Sequence, residues 1–162
     1  MTLEIEKLLD ETGWQLLQEL QQNARLSYSE LGQRVGLSAP AVADRLRRME
    51  EASIINGYRA EINLAAVGLP IMAIIRLRDM VGQSCLRVMN WASEIPEVIE
   101  CYRVTGNDMI VLKVVTTSIE HLDNVIAQLN MYGSPSTSVV LSRPTQPRVI
   151  THDLIQSNTE TH

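Results

Sequence analysis

An α+β protein in two parts is what this sequence predicts, and three observations carry the prediction. Residues 27 to 57, SYSELGQRVGLSAPAVADRLRRMEEASIING, read as two short helices joined by a tight turn, with arginines clustered on the second. Residues 71 to 142 switch between strand and helix periodicity in the order β-α-β-β-α-β. At 45% hydrophobic and 20% charged residues, the 162-residue chain has the composition of a globular protein. The first pattern is that of a helix-turn-helix, whose second helix lies in the DNA major groove. The second is the split βαβ, or ferredoxin-like, arrangement.

The N-terminal part is justified element by element. Thr12 to Gln22 carries Trp14, Leu16, Leu17 and Leu20 as an apolar stripe, so a first helix is expected there. Ser27 precedes Glu30 at capping-box spacing and starts a helix that runs to about Val35, with Leu31 and Val35 facing inward. Gly36 can take the left-handed conformation that the turn requires, and Leu37 plugs the turn into the core. Ser38 caps a third helix, about Ala39 to Ala52, with Pro40 in its first turn. At about 100° per residue, Val42, Leu46 and Met49 share one side, and Pro40, Asp44, Arg47 and Glu51 the other. Ile54-Ile55-Asn56-Gly57-Tyr58 reads as a short strand with an Asn-Gly turn, which makes the unit a winged helix-turn-helix. Residues 1–60 are therefore read as the DNA-binding domain, and 61–69 as a linker strand ending near Gly68.

Residues 70–150 form the second domain. IMAIIRLR (71 to 78) reads as a strand, and 83 to 94 as a helix with Cys85, Val88, Met89 and Ala92 on one face. EVIECYRVT (97 to 105) alternates as a strand, Gly106-Asn107-Asp108 is a turn, and MIVLKVVT (109 to 116) is the next strand. Residues 118 to 131 place Ile119, Leu122, Val125, Ile126 and Leu129 at helical spacing, and STSVVLS (136 to 142) closes the sheet. Residues 151–162 are polar and read as a flexible, frayed tail.

Several function classes are excluded. No apolar run reaches the roughly 18 residues of a membrane span, and the acidic start MTLEIEKLLDETG lacks the core of a signal peptide. A cytoplasmic location follows. Cys85 and Cys101 read as reduced, small apolar side chains, and His121, His152 and His162 form no ligand spacing, so neither a metal nor another cofactor is expected. No Ser-His-Asp or Cys-His set and no phosphate-binding glycine loop occurs, which argues against an enzyme. An RNA-binding sheet needs aromatics on its central strands, and MIVLKVVT has none.

The net charge of −5 opposes nucleic-acid binding, but its distribution does not. Glu4, Glu6, Asp10 and Glu11 crowd the start, whereas Arg45, Arg47 and Arg48 cluster on the third helix. The expected DNA-binding residues are Ser38, Pro40, Ala41, Asp44, Arg45, Arg47 and Arg48. Ser38 is a cap that can also meet a phosphate at a helix N-terminus. Pro40 and Ala41 permit close approach. Asp44 either accepts from a cytosine amino group or orients an arginine. Arg45 lies near the buried stripe and either contacts phosphate or pairs within the protein. Arg47 and Arg48 reach phosphates or guanine edges.

The run LSYSELGQRVGLSAPAVADRLRRMEEASIINGY resembles the DNA-binding signature of the Lrp/AsnC (feast/famine) family of transcription regulators. It has the R-L-S opening, E-L followed by V-G-L-S, then V-x-x-R-L-x-x-M-E and an I-I-x-x-Y close. The second half is similar in order and length to the family's RAM-type effector domain, with Val104-Thr105-Gly106 before the third strand, and the resemblance covers about residues 10 to 145. It implies a sequence-specific regulator of double-stranded DNA whose C-terminal domains pair through their sheets into a homodimer. Such dimers commonly assemble further, often into octamers, and bind an amino acid or related metabolite as effector. The family's effector loop often reads G-D-aromatic-D-aromatic, and the matching positions here begin Gly106, Asn107, Asp108, Met109. These four are the effector candidates. Methionine replaces the second acidic residue, and Asp108 is the neighbouring carboxylate able to meet an ammonium group. The alternative is a metabolite-sensing or assembly module with little DNA specificity of its own, and outward-facing arginines on the third helix discriminate against it.

Overall fold

The computed structural model describes residues 3–78 and 85–156. In chain order its elements are α1 (Leu3–Leu8), α2 (Glu11–Gln22), α3 (Tyr28–Val35), α4 (Ala39–Glu51), β1 (Ile71–Arg78), α5 (Cys85–Glu94), β2 (Val98–Arg103), β3 (Asp108–Thr116), α6 (Ile119–Leu129), β4 (Ser134–Val139) and α7 (Asp153–Gln156). They fall into two compact units, Met1–Ala60 with Gln146–His162, and Glu61–Thr145.

In the first unit the local signals act as expected. Asp10 caps α2 by accepting from the Gly13 N–H at 2.8 Å. The Ser27–Glu30 capping box is closed from both sides: Glu30 N–H donates to Ser27 Oγ at 3.2 Å, and Ser27 N–H donates to Glu30 Oε2 at 2.7 Å. Gly36 sits at φ 73°, and Leu37 N–H donates back to the Gly32 carbonyl at 2.9 Å. Leu16, Leu31, Val42, Leu46 and Met49 are buried as one cluster. Leu8 of α1 joins them at 2% exposure, in a helix that the sequence reading did not identify.

Two elements differ from expectation. The wing is absent: residues 54 to 58 form no strand. Ile54 and Ile55 instead donate their N–H groups to the Met49 carbonyl at 2.9 and 3.2 Å, which closes the end of α4 and half-buries both side chains. The expected linker strand is also absent. Residues 65 to 67 form a 3₁₀ turn that ends at Gly68 with φ 86°, and the only sheet among the described residues uses none of this segment. A strand needs a partner edge, and neither segment meets one among the described residues.

The second unit is an antiparallel sheet in the order β2-β3-β1-β4, as the β-α-β-β-α-β order requires. Ala73, Ile75 and Leu77 of β1 and Ile110, Leu112 and Val114 of β3 point to one face. There they meet Val88 and Ala92 of α5 and Leu122, Val125 and Leu129 of α6. Met89, expected on the buried face of α5, is 40% exposed, and Trp91 packs on the core in its place. The start expected for α5 at residues 83 and 84 lies outside the described residues, as does the tail beyond residue 156. Among the described residues of this unit, no helix packs on the other sheet face. It carries Ile74 and Arg76 beside Val111 and Lys113, with Glu100 and Tyr102 on the β2 side. Lys113 Nζ lies 2.9 Å from Glu100 Oε1, and Arg76 donates to Ser138 Oγ at 3.2 Å.

Candidate nucleic-acid interface and effector groove

α4 presents an accessible face that begins at its cap. Ser38 Oγ accepts the Ala41 N–H at 3.4 Å, so the first turn is set before any ligand arrives. Pro40, Ala41, Asp44 and Arg47 are exposed and Arg48 is half-exposed. Their outward direction follows from the inward pull of Val42, Leu46 and Met49, all at 2% exposure or less.

The arginines are held by carboxylates. Arg47 donates to Asp44 Oδ1 at 2.7 Å and to Glu51 Oε1 at 2.6 Å, one turn away on either side. The hydrogen bond from Arg47 holds the Asp44 carboxyl below its usual range, and Asp44 and Glu51 in turn push the Arg47 guanidinium further up. Arg48 lies 3.8 Å from Glu4. All of these groups are well exposed to water, where such pairs contribute little and a phosphate can replace the carboxylate.

Of the two roles expected for Arg45, the structure shows the pairing within the protein and not a side chain free to meet DNA. Its side chain is only 20% exposed and pairs with Asp10. The same guanidinium donates to the carbonyls of Lys7 and Leu8, each at 3.3 Å, which are the last turn of α1. Arg45 therefore satisfies orphan carbonyls at a helix end and ties α1, α2 and α4 together. The signal for this role is Asp10, a cap at the start of α2, but their 35-residue separation concealed the pairing.

This knot has a pH signature. Asp10 is held below the usual carboxylate range, chiefly by the hydrogen bond from Arg45, with burial opposing and the Gly13 N–H assisting. A folded pKa below the unfolded one contributes stability above the unfolded value, and that stability is lost as pH falls through the folded value. Acidification from about pH 5 to about pH 3 should therefore destabilise the helical unit more in the native chain than in Asp10→Asn. Equal losses in denaturant titrations at the two pH values would contradict this assignment.

The four effector candidates are brought together at the other unit's β2–β3 connection. Gly106 turns the chain with φ 110°. The ladder then carries a bulge: Leu77 faces Ile110 but Arg78 faces Asp108, so Met109 is the extra residue. That step puts the Asp108 carboxylate 3.5 Å from Arg78 Nε. An open groove of about 580 Å³ runs along Gly106, Asn107, Asp108 and Met109, and Cys85 and Arg103 also line it. Arg78, Cys85 and Arg103 are not among the effector candidates read from the sequence. The alternation of β2 places Arg103 beside the turn, but the bulge that recruits Arg78 has no local sequence mark.

Comparison with known proteins agrees with both halves. Residues 9–50 match the AsnC-type helix-turn-helix domain, and residues 72–150 match the Lrp/AsnC ligand binding domain. The HTH-type transcriptional regulator YezC of Bacillus subtilis (strain 168) is 39% identical over 134 residues, 83% of this chain and 94% of that one. The proline dehydrogenase transcriptional activator of Rhodobacter capsulatus is 38% identical over 123 residues, 75% of this chain and 80% of its own. Among solved structures, the L-Met complex of the transcriptional regulator NMB0573 from Neisseria meningitidis is similar at TM-score 0.82 and 27% identity, covering 91% of this chain and 99% of that one. LrpC of B. subtilis is similar at TM-score 0.80 and 29% identity, covering 86% and 99%.

Proposed function

This chain belongs to the Lrp/AsnC family, and from that premise we propose that it reads a two-fold DNA site as a homodimer and is adjusted by a metabolite of the amino-acid class. It is a DNA-binding transcription regulator and not an enzyme. No helix among the described residues is long and apolar enough to cross a membrane, and a chromosomal DNA partner supports a cytoplasmic location.

The observation that carries the DNA reading is the exposed face of α4, with Pro40 and Ala41 at its start and Arg47 and Arg48 about two turns on. Small residues let the helix N-terminus approach base edges, and the arginines then reach guanine or phosphate. Ser38 supports a phosphate contact from the cap, and Asp44 orients Arg47. The sheet face opposite α5 and α6, with Ile74, Val111 and Tyr102 beside paired charges, suits self-association about a two-fold axis. Exposed Leu86, Met89 and Ile99 leave apolar surface for dimers to join into a larger assembly such as an octamer. Selection of bound duplexes from a random pool should therefore enrich an inverted repeat whose half-sites are whole DNA turns apart. Enrichment of unpaired sites would sink the dimeric reading.

For the effector, an amino acid needs an anion for its ammonium and a cation or N–H groups for its carboxylate. Asp108 supplies the first and Arg103 the second on the same groove. Support comes from the L-Met complexes among the related structures. Asp108→Ala should abolish any shift in melting temperature produced by L-methionine. A full shift in that variant would confine Asp108 to its ion pair with Arg78.

A further inference from the structure

The C-terminal segment returns to α2 and is held there by two independent devices. The Gln21 side chain donates from Nε2 to the Ile150 carbonyl at 3.0 Å and accepts the Ile150 N–H at Oε1 at 2.8 Å. A side-chain amide thus offers Ile150 the donor and acceptor that a neighbouring strand would. Nε2 is also anchored at 3.1 Å to the Leu17 carbonyl of its own helix. Two residues on, the His152 ring stacks on Trp14 with centroids 5.3 Å apart and planes 17° from parallel. Trp14 is 8% exposed. One helical turn, α7, then closes with Ile155 N–H donating to the His152 carbonyl at 2.9 Å. Residues 151 to 156 were expected to fray, and this arrangement corrects that expectation.

The connectivity gives this attachment a role. The chain leaves the DNA-binding unit after Ala60 and re-enters it at Gln146, soon after β4 ends at Val139. Two covalent spans, rather than one, therefore join the α4-bearing unit to the βαββαβ unit. A single flexible span of about ten residues has a root-mean-square reach of roughly 18 Å. That is about five base pairs at roughly 3.4 Å each. One tether would thus let two reading helices accept half-sites at many spacings, whereas a second attachment closes the loop and removes much of that freedom.

We propose that residues 146–156 are a strap which, through Gln21 and Trp14, fixes the half-site spacing that a pair of these chains will accept. The strap is a specificity determinant that touches no DNA, and it rests on the reading of the chain as a paired DNA binder.

The test compares the full chain with Gln21→Ala/His152→Ala and with a chain stopped after Thr145. The probes are duplexes that the unaltered protein selects from a random pool, the same duplexes with half-sites moved apart by roughly 5 and 10 base pairs, and a single half-site. Hydrogen exchange at Ile150 reports release of the strap in the double variant. The unaltered protein should lose roughly tenfold or more in affinity on the half-turn shift. The released variants should lose less than about threefold, with single half-site affinity unchanged in all three proteins. An unchanged spacing preference in a variant whose Ile150 amide exchanges freely overturns the proposal. So does a parallel fall in single half-site affinity, because the strap would then only stabilise the helices. If the Ile150 amide stays protected in the double variant, the shortened chain decides by the same affinities. If the unaltered protein selects no paired site, the dimeric reading fails and the strap fails with it.

Discussion

Replacing Arg47 and Arg48 together by alanine should lower affinity for a selected site roughly ten- to a hundredfold and flatten its salt dependence. Each phosphate contact contributes about 0.9 to the slope of log affinity against log salt, so losing two contacts removes about 1.8. Arg47 on a base edge would instead reduce the slope by only about 0.9 and relax the preference at one base pair. The geometry supports an effect on DNA without collapse of the fold. Both side chains project from the exposed face of α4, and their intramolecular partners Asp44, Glu51 and Glu4 are themselves well exposed. Oligomer size should not change, because the proposed pairing face lies in the other unit. Unaltered affinity in a gel-shift titration across salt concentrations would remove α4 from the groove.

Gly32→Ala should be among the most damaging single substitutions in the helical unit, at about 3 kcal/mol. A methyl group there would lie 2.3 Å from the Leu37 carbonyl oxygen, which is backbone and cannot turn aside. The contact is tight because the turn folds back on α3, with Leu37 N–H bonded to the Gly32 carbonyl at 2.9 Å. Gly36→Ala is the informative control. Its methyl would meet nothing within 4 Å, but its φ of 73° is left-handed, so only about 1 kcal/mol of backbone strain is expected. Thermal unfolding should therefore rank native, Gly36→Ala and Gly32→Ala in falling order. The reverse order would mean that α3 and the turn are less closely packed than the structure has them.

The legible parts of this fold are those whose cause lies within a few residues. Ser27 with Glu30, Ser38 with Pro40, and Gly36 mark helix ends by contacts three or four positions away. The strands of the βαββαβ unit declare themselves by alternation, because one face must meet α5 and α6. What escaped depends on distant partners. α1 is only six residues long, and its end is satisfied by Arg45, more than thirty-five positions further on. The segment after α4 looks like a strand in composition, but its N–H groups at Ile54 and Ile55 are already taken by Met49. Gln21 and Ile150 are 129 positions apart, and nothing in a polar tail announces a docking site. The candidate sites divide in the same way. The face of α4 follows from helical angle, Arg45 excepted, whereas Arg78 reaches Asp108 only through a bulge in the ladder.

The carboxylates beside Arg47 and Arg48 bear on how such a protein finds its target. A regulator with bare cations adheres to any stretch of the chromosome, and most of its copies are then held far from the operator. On the proposed reading face Arg47 sits between Asp44 and Glu51, and Arg48 lies 3.8 Å from Glu4. Random sequence displaces those partners without matched bases to compensate, at the small cost that exposed pairs carry. If α4 is the reading face, Asp44→Ala/Glu51→Ala should therefore raise affinity for random duplex more than for a selected site, a small effect that a competition titration would read.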